Sequence, residues 1–123
     1  KGMSCYVPRK TYSPKESIEM IKNAGGLAIL AHPVYITEDY DKSYSLLKQL
    51  KEYGLDGTEC LYNCYSEEFS KMCFDICDKL GLVKSGGSDF HGGNKPDVEL
   101  GKVSGGYVPY EFLLNMKEQR GLM

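Results

Sequence analysis

The feature that most constrains the fold of this chain is the alternation of short apolar runs with helical patterns. Strand candidates lie at residues 27–31, 56–61 and 82–85, of which the second is weaker by composition, and helical patterns precede, separate and follow them. The first run is continuous, is too short for a helix and indicates a strand buried on both faces, as in a parallel sheet. Strands that alternate with helices imply right-handed crossovers, so the sequence predicts an α/β fold with parallel strands.

The first helix has the clearest start signal in the chain. Ser13 can cap it, Pro14 suits the first helical position, and Glu16 completes a capping box. The glycine pair at 25–26 is expected to end it, because glycine readily adopts the left-handed conformation that follows a helix.

The remaining helices are predicted from apolar spacing and their flanking residues. The second is expected to be capped by Asp41 or Ser43, the third to occupy residues 66–81, and the fourth to begin near Tyr110. Residues 92–108 are glycine-rich and are expected to contain little regular structure.

Length and composition are those of one ordinary globular domain. The chain has 123 residues, of which 41% are hydrophobic and 26% charged. The formal net charge of −2 indicates no basic nucleic-acid surface. A nucleotide substrate is still compatible with it, because a metal ion can supply positive charge locally.

Nothing in the sequence indicates a membrane or secretory protein. No apolar run approaches the about 18–20 residues that a membrane helix needs, and no signal peptide opens the chain. We therefore expect a cytoplasmic protein. Because the first residue is Lys1, we also expect a piece of a longer protein or a trimmed one.

The cysteines allow two interpretations. An odd count without a secretory segment favours reduced thiols, and the members are Cys5, Cys60, Cys64, Cys73 and Cys77. The spacing of the last four could form a four-thiolate zinc site. However, Cys73 and Cys77 share a helical face with apolar residues, which favours small buried side chains.

The candidate metal ligands follow two of the predicted strands. His32 comes directly after the first strand, and Asp89 and His91 come shortly after the third, two positions apart. In an extended segment that spacing directs both side chains to one side, and an imidazole with a carboxylate suits Zn, Mn or Fe(II). The alternatives are a structural histidine beside Pro33 and a turn-forming aspartate.

Two further residues have more than one interpretation. Glu59, at or near the end of the middle strand, could be a metal ligand, a base that supports the ligands, or an ordinary strand-end residue. Arg9 could grip a phosphate or could be an exposed loop arginine. The chain has no Walker-type phosphate loop, and the serine at 88 lacks the spacing of a nucleophile elbow.

Three motifs in a fixed order carry a resemblance to a known family. They are Ala31-His32-Pro33 after the first strand, the segment Gly-Leu-Asp-Gly-Thr-Glu at 54–59, and Ser-Gly-Gly-Ser-Asp-Phe-His-Gly at 85–92. Together they resemble the PHP family (polymerase and histidinol phosphatase). The likeness is greatest to its stand-alone phosphoesterases, which include 3′,5′-nucleoside bisphosphate phosphatases and 5′→3′ exoribonucleases.

The resemblance implies a fold, a metal site and a substrate. The fold would be the C-terminal part of a distorted TIM-like (β/α)7 barrel, with residues 1–123 forming one partial PHP domain. His32, Asp89 and His91 match the family's metal ligands, Glu59 matches a recurrent strand-end glutamate, and Arg9 is a candidate substrate contact. The complete family site holds up to three divalent ions, commonly Mn, Zn or Fe, and the substrate would be a phosphorylated small molecule, a nucleotide or a short RNA end.

The chain departs from the family pattern in what precedes these motifs. The family begins with a His-x-His pair and further ligands, none of which occurs here. We therefore expect an incomplete barrel, weak or no activity in this chain alone, and possible self-association through open sheet edges. The first functional hypothesis is a metal-dependent phosphoesterase, and the alternative is a non-catalytic PHP-type binding or assembly domain.

Overall fold

The computed structural model describes Cys5 and residues 7–122. It confirms the predicted alternation of helices and strands. The helices are α1 (Pro14–Asn23), α2 (Tyr40–Glu52), α3 (Glu67–Leu80) and α4 (Tyr110–Gln119). The strands are β1 (Ile29–Leu30), β2 (Gly57–Tyr62), β3 (Val83–Gly87), β4 (Lys102–Val103) and β5 (Gly106–Tyr107). Two short 3-10 turns span Pro33–Tyr35 and Gly92–Asn94.

The main sheet is parallel, as predicted. Its order is β1-β2-β3, and β2 pairs in parallel with both neighbours. The register between β2 and β3 shifts at Cys60, where Glu59 faces Ser85 and Leu61 faces Gly86. Because the strands run the same way, the segments that follow β1 and β3 emerge at the same edge of the sheet.

The capping box at the start of α1 is confirmed. The Glu16 amide donates to the Ser13 hydroxyl at 3.2 Å, and the Ser13 amide donates to the Glu16 carboxylate at 2.8 Å. The predicted cap of α2 was wrong: Asp39 caps it by accepting a hydrogen bond from the Lys42 amide at 2.9 Å. Asp41 instead lies in the first turn, where the helix dipole favours an acid, and Ser43 is buried.

Two strand bounds and one loop also differ from expectation. β1 is shorter than the apolar run at 27–31, while β3 extends to Gly87. Residues 92–108 contain an antiparallel hairpin, β4–β5, as well as a 3-10 turn. This hairpin was not predicted from the sequence, because a glycine-rich segment indicates irregular structure. The glycines are needed there because Gly105 and Gly106 have positive φ angles of 85° and 150°.

The core lies between the sheet and the helices packed on it. Helix α3 contacts β2 and β3, α4 contacts β3, and α2 contacts α3. The side chains of Cys60, Cys73 and Cys77 are buried in this core, whereas Cys64 is exposed. The interpretation as small buried side chains is therefore confirmed for α3. Within the described residues no group of three or more His, Cys, Asp or Glu could hold a metal ion, so no four-thiolate site forms there.

One buried ion pair attaches α1 to the sheet. Asp56 is 8% exposed, and its carboxylate accepts from the Lys22 ammonium at 2.6 and 2.8 Å and from the Ala28 amide at 2.7 Å. These contacts fix the approach to β1 relative to the start of β2. In the described part of the chain, no helix is long and apolar enough to cross a membrane.

We predict that Gly57→Ala destabilises the fold, because β2 and β3 approach closely at this residue. A Cβ atom on Gly57 would lie 2.3 Å from the Val83 carbonyl oxygen, which is backbone and cannot move aside cheaply. We expect a loss of about 1–3 kcal/mol in the free energy of unfolding, measured by urea denaturation. Gly93→Ala is the matched control, since nothing lies within 4 Å of its Cβ position, and an equal loss in both variants would contradict the prediction.

Candidate metal centre

The candidate site lies at the edge of the sheet where β1 and β3 end. His32 follows β1 by two residues, and Asp89 follows β3 by two residues. Both have left-handed backbone conformations, with φ angles of 49° and 55°. They are the only residues other than glycine with positive φ in the described ranges, Cys5 and 7–122. Such conformations cost free energy and concentrate at functional sites, so both residues are held there by their surroundings.

Glu59, in the middle of β2, connects to the His32 segment. Its Oε2 atom accepts from the His32 amide at 2.9 Å and from the Tyr65 hydroxyl at 3.1 Å. The side chain is 11% exposed, which makes these hydrogen bonds effective. Of the interpretations left open for Glu59, the support of His32 is the one that these contacts favour.

The His32 ring lies against the Glu59 carboxylate. Its Nδ1 atom lies 3.0 Å from Glu59 Oε2, but the contact lacks hydrogen-bond geometry, and this buried nitrogen has no partner among the described residues. A metal-bound histidine usually donates its second ring N–H to a carboxylate. Glu59 is close enough for that role after a small rotation of the ring, and it holds the His32 segment through the backbone amide.

Asp89 and His91 lie together, but not on an extended segment as predicted. β3 ends at Gly87, and the left-handed turn at Asp89 replaces simple alternation. His91 Nδ1 is 2.7 Å from the Asp89 carbonyl oxygen and 3.3 Å from its Oδ1. The pair therefore forms by local chain reversal.

Lys95 binds the Asp89 carboxylate through its ammonium group. This hydrogen bond is the largest cause of the lowered pKa of Asp89, and the nearby rings of His91 and His32 add to the effect. Lys95 thus keeps the carboxylate ionised, but its ammonium group lies where a cation would bind, so a divalent ion would have to displace it.

Aromatic side chains surround His32. Its ring centroid lies 4.8 Å from that of Tyr62 and 5.7 Å from that of Tyr35. Burial, together with a hydrogen bond to Tyr35, raises the pKa of Tyr62 to about 12. Burial also raises the pKa of Tyr65, and the adjacent Glu59 carboxylate contributes to it. Both phenols are therefore neutral hydrogen-bonding groups at neutral pH.

The predicted residues form two halves of a site, His32 with Glu59 and Asp89 with His91. Among the described residues, the two halves are linked by the effect of His32, which helps to lower the pKa of Asp89. Arg9 is exposed in the irregular segment before α1, and the contacts described around these halves do not include it. The donor chemistry fits a divalent ion, but the described residues alone do not form a closed ligand set.

Sequence reasoning weighed Lys95 only as a possible phosphate contact or an exposed lysine, and it missed the contacts that Tyr65 and Lys95 make with Glu59 and Asp89. Tyr65 and Lys95 each lie six positions after the residue that they bind, Glu59 and Asp89. That separation matches neither helical nor strand periodicity, and no local pattern marks it. Ser88 was also missed: it is buried, and its carbonyl accepts from the Asn63 side chain at 3.0 Å, which ties β2 to the Asp89 segment.

Comparison with known proteins reveals relatives that share one chemistry. No protein-family model matches the chain. A phosphoribosyl 1,2-cyclic phosphate 1,2-diphosphodiesterase of Eggerthella lenta is 35% identical over 86 residues, covering 68% of this chain and 31% of the relative. A 5′-3′ exoribonuclease of Haemophilus influenzae is 31% identical, covering 74% and 33%. A 3′,5′-nucleoside bisphosphate phosphatase of Chromobacterium violaceum is 30% identical, covering 81% and 35%.

Two solved structures have folds similar to that of this chain. A protein of Bifidobacterium adolescentis, proposed to be a metal-dependent phosphoesterase, matches with a TM-score of 0.69 and 26% identity, covering 96% of this chain and 40% of that one. An amidohydrolase of Chromobacterium violaceum, solved with sulfate bound and no metal, matches with a TM-score of 0.67 and 27% identity, covering 94% and 39%.

The fold and these likenesses define a mixed α/β protein related to phosphoesterases. More particularly, the chain belongs to the PHP phosphoesterase family, as its three motifs predicted. It spans about a third of the length of the curated relatives that it matches.

We predict that Lys95→Ala raises the pKa of Asp89, because it removes the main cause of the lowered value. A lowered pKa in the folded chain stabilises it at pH values above the ordinary pKa of aspartate, and this stability is lost as the pH falls through the lowered pKa. Because the folded pKa of Asp89 returns toward its ordinary value in the variant, this contribution to stability should be largely absent above that pKa, and the variant should lose less stability than the unaltered chain as the pH falls. The check is an NMR titration of the Asp89 carboxyl carbon, with Lys102→Ala as control because Lys102 pairs with Glu99 instead; an unchanged Asp89 pKa in Lys95→Ala would contradict the assignment.

Proposed function

We propose that this chain is part of a metal-dependent phosphoesterase, in which His32, Asp89 and His91 donate to a divalent ion. The observation that carries the proposal is the left-handed backbone at His32 and Asp89, at the ends of β1 and β3. Two strained residues of metal-binding type at one sheet edge are hard to explain by packing alone, because a turn could use glycine there without strain.

The donor set suits Mn, Zn or Fe(II), and a complete site with residues beyond those described would hold up to three such ions. Such an ion supplies positive charge to phosphoryl oxygens and acidifies an attacking water. Glu59 orients His32, and Lys95 adds positive charge beside Asp89, which favours an anionic substrate.

The substrate class that we propose is a phosphate ester of a nucleotide, or a short RNA end. The named activities of the relatives support this class, since each acts on a phosphorylated ribose compound or on RNA. Arg9 is exposed and free of a fixed secondary structure, and we propose it as a secondary phosphate contact.

We further propose that residues 1–123 correspond to the C-terminal part of a TIM-like (β/α)7 PHP barrel. The chain spans about a third of each relative, which supports a part of a larger fold. The three parallel strands with intervening helices are the repeating unit of such a barrel. We also propose a cytoplasmic location, because an odd number of cysteines without a secretory segment favours reduced thiols.

One observation favours the second candidate, a non-catalytic binding or assembly domain. Among the described residues no three donors converge on a possible ion. In addition, β1 and β3 each have an edge that pairs with no strand in the described part of the chain. Open edges favour association with another strand, including one from a second copy.

Mapping of Mn²⁺ binding by NMR tests the proposed donors without requiring activity. Mn²⁺ is paramagnetic and broadens signals close to it, so we expect selective broadening of the His32, Asp89 and His91 amides at low occupancy. Asp89→Asn should weaken this effect about tenfold or more, within the range typical for loss of a group that supports a metal. Asp97→Asn is the matched control, because Asp97 is an exposed carboxylate of the same loop.

Broadening confined to other acidic surfaces, or equal binding by both variants, would contradict the metal assignment. Phosphate release from adenosine 3′,5′-bisphosphate with added Mn²⁺ then separates the two candidate functions. Release by the chain that is lost in Asp89→Asn supports the phosphoesterase. Specific Mn²⁺ binding without release, even when the missing part of a relative is added, favours the binding domain.

A further inference from the structure

Two buried thiols lie next to each other in the core, apart from the proposed metal donors. Cys60 on β2 and Cys77 on α3 have Sγ atoms 3.5 Å apart, and both side chains are 0% exposed. They approach because α3 packs directly on β2. Neither thiol has a role in the site described above.

Cys60 lies at an irregularity in the pairing of β2 with β3. The register shift places Glu59 opposite Ser85 and Leu61 opposite Gly86, so Cys60 has no partner residue on β3. An unpaired bulge residue can move more readily than a residue held in the ladder. A disulfide has a sulfur–sulfur distance of about 2.05 Å, so the two Sγ atoms would need to move about 1.5 Å closer.

We propose that Cys60 and Cys77 are an oxidation site that forms a reversible disulfide between β2 and α3. This inference goes beyond the proposed function and does not rest on it. With a peroxide as oxidant, one thiolate attacks a peroxide oxygen, forming a sulfenic acid and releasing water. The second thiolate then attacks that sulfur, the S–S bond forms, and a second water leaves, so that two thiols and one hydrogen peroxide give one disulfide and two waters.

Burial makes the pair slow to react rather than unable to react. A small peroxide reaches it when α3 or β2 opens locally. The hydrogen bond from Cys60 lowers the pKa of the Cys77 thiol, and the nearby Lys84 ammonium acts in the same direction. Either Sγ can donate the hydrogen bond between the two thiols, so either thiol can attack the peroxide first and the other then resolves the sulfenic acid.

The disulfide would affect the candidate metal centre through the neighbouring residue. Cys60 directly follows Glu59, whose carboxylate holds the His32 amide and the Tyr65 hydroxyl. A movement of Cys60 toward α3 therefore displaces the support of His32.

Peptide mapping of the oxidised chain tests the proposal directly. The chain is treated with hydrogen peroxide, remaining thiols are alkylated under denaturing conditions, and the protein is digested with trypsin and chymotrypsin. Trypsin alone leaves Cys60 with Cys64 and Cys73 with Cys77, whereas chymotryptic cleavage after Tyr62 and Phe74 separates each pair. We expect the loss of two of the five thiols and a linked peptide that joins Cys60 to Cys77.

Two variants test whether the disulfide involves Cys77 rather than the neighbouring buried Cys73. Cys77→Ala should prevent the loss of two thiols, whereas Cys73→Ala should not, although Cys73 is also buried on α3. If Cys77→Ala does not fold, the peptide map of the unaltered chain still shows whether Cys60 and Cys77 are linked. Retention of five thiols, a link through Cys64 or Cys73, or oxidation of Cys60 and Cys77 only to sulfinic acids would overturn the proposal.

NMR of the oxidised chain tests the coupling to His32. The amide signals of His32 and Tyr65 should shift more than that of Ser17 in α1, and dithiothreitol should reverse the shifts. A mapped Cys60–Cys77 disulfide with an unshifted His32 amide would overturn the coupling.

Discussion

The arrangement of the candidate site depends on one buried carboxylate. Glu59 lies on the central strand, and its Oε2 atom holds the His32 amide and the Tyr65 hydroxyl while facing the His32 ring. A charged group with so little solvent exposure is costly unless hydrogen bonds satisfy it. The same contacts that satisfy Glu59 therefore fix the chain after β1, and in this way packing of the sheet determines where His32 lies.

The surrounding structure must also compensate for strain at the site. The left-handed conformations of His32 and Asp89 each cost free energy. The segment after β1 is held by Glu59, and the segment after β3 by Asn63, Lys95 and the buried Ser88. Glu59 lies on β2 and Asn63 lies directly after it, so the central strand contributes to holding both segments.

Much of this architecture was predictable from the sequence, because periodicity and caps are local. The parallel order, the capping box at Ser13 and the burial of Cys73 and Cys77 all followed from patterns within a few residues. The motifs also predicted the family. The β4–β5 hairpin was hidden by glycines, and the contacts of Tyr65 and Lys95 depend on chain reversals that no periodicity encodes. The left-handed turn at Asp89 likewise interrupts the alternation expected of an extended segment, and no local pattern marks it.

The most direct test of this account is hydrogen exchange of the His32 amide in Glu59→Leu, which keeps the bulk of the side chain and removes the acceptor. A hydrogen bond to a charged group contributes about 1.5–3 kcal/mol, so exchange at His32 should accelerate about 10- to 100-fold. The rate is compared with that of the Ser70 amide, which donates within α3 and reports general loss of stability, and with Glu68→Leu as the exposed control. Selective acceleration at His32 is the predicted result. Acceleration no greater than that at Ser70 would contradict the claim that Glu59 positions the site.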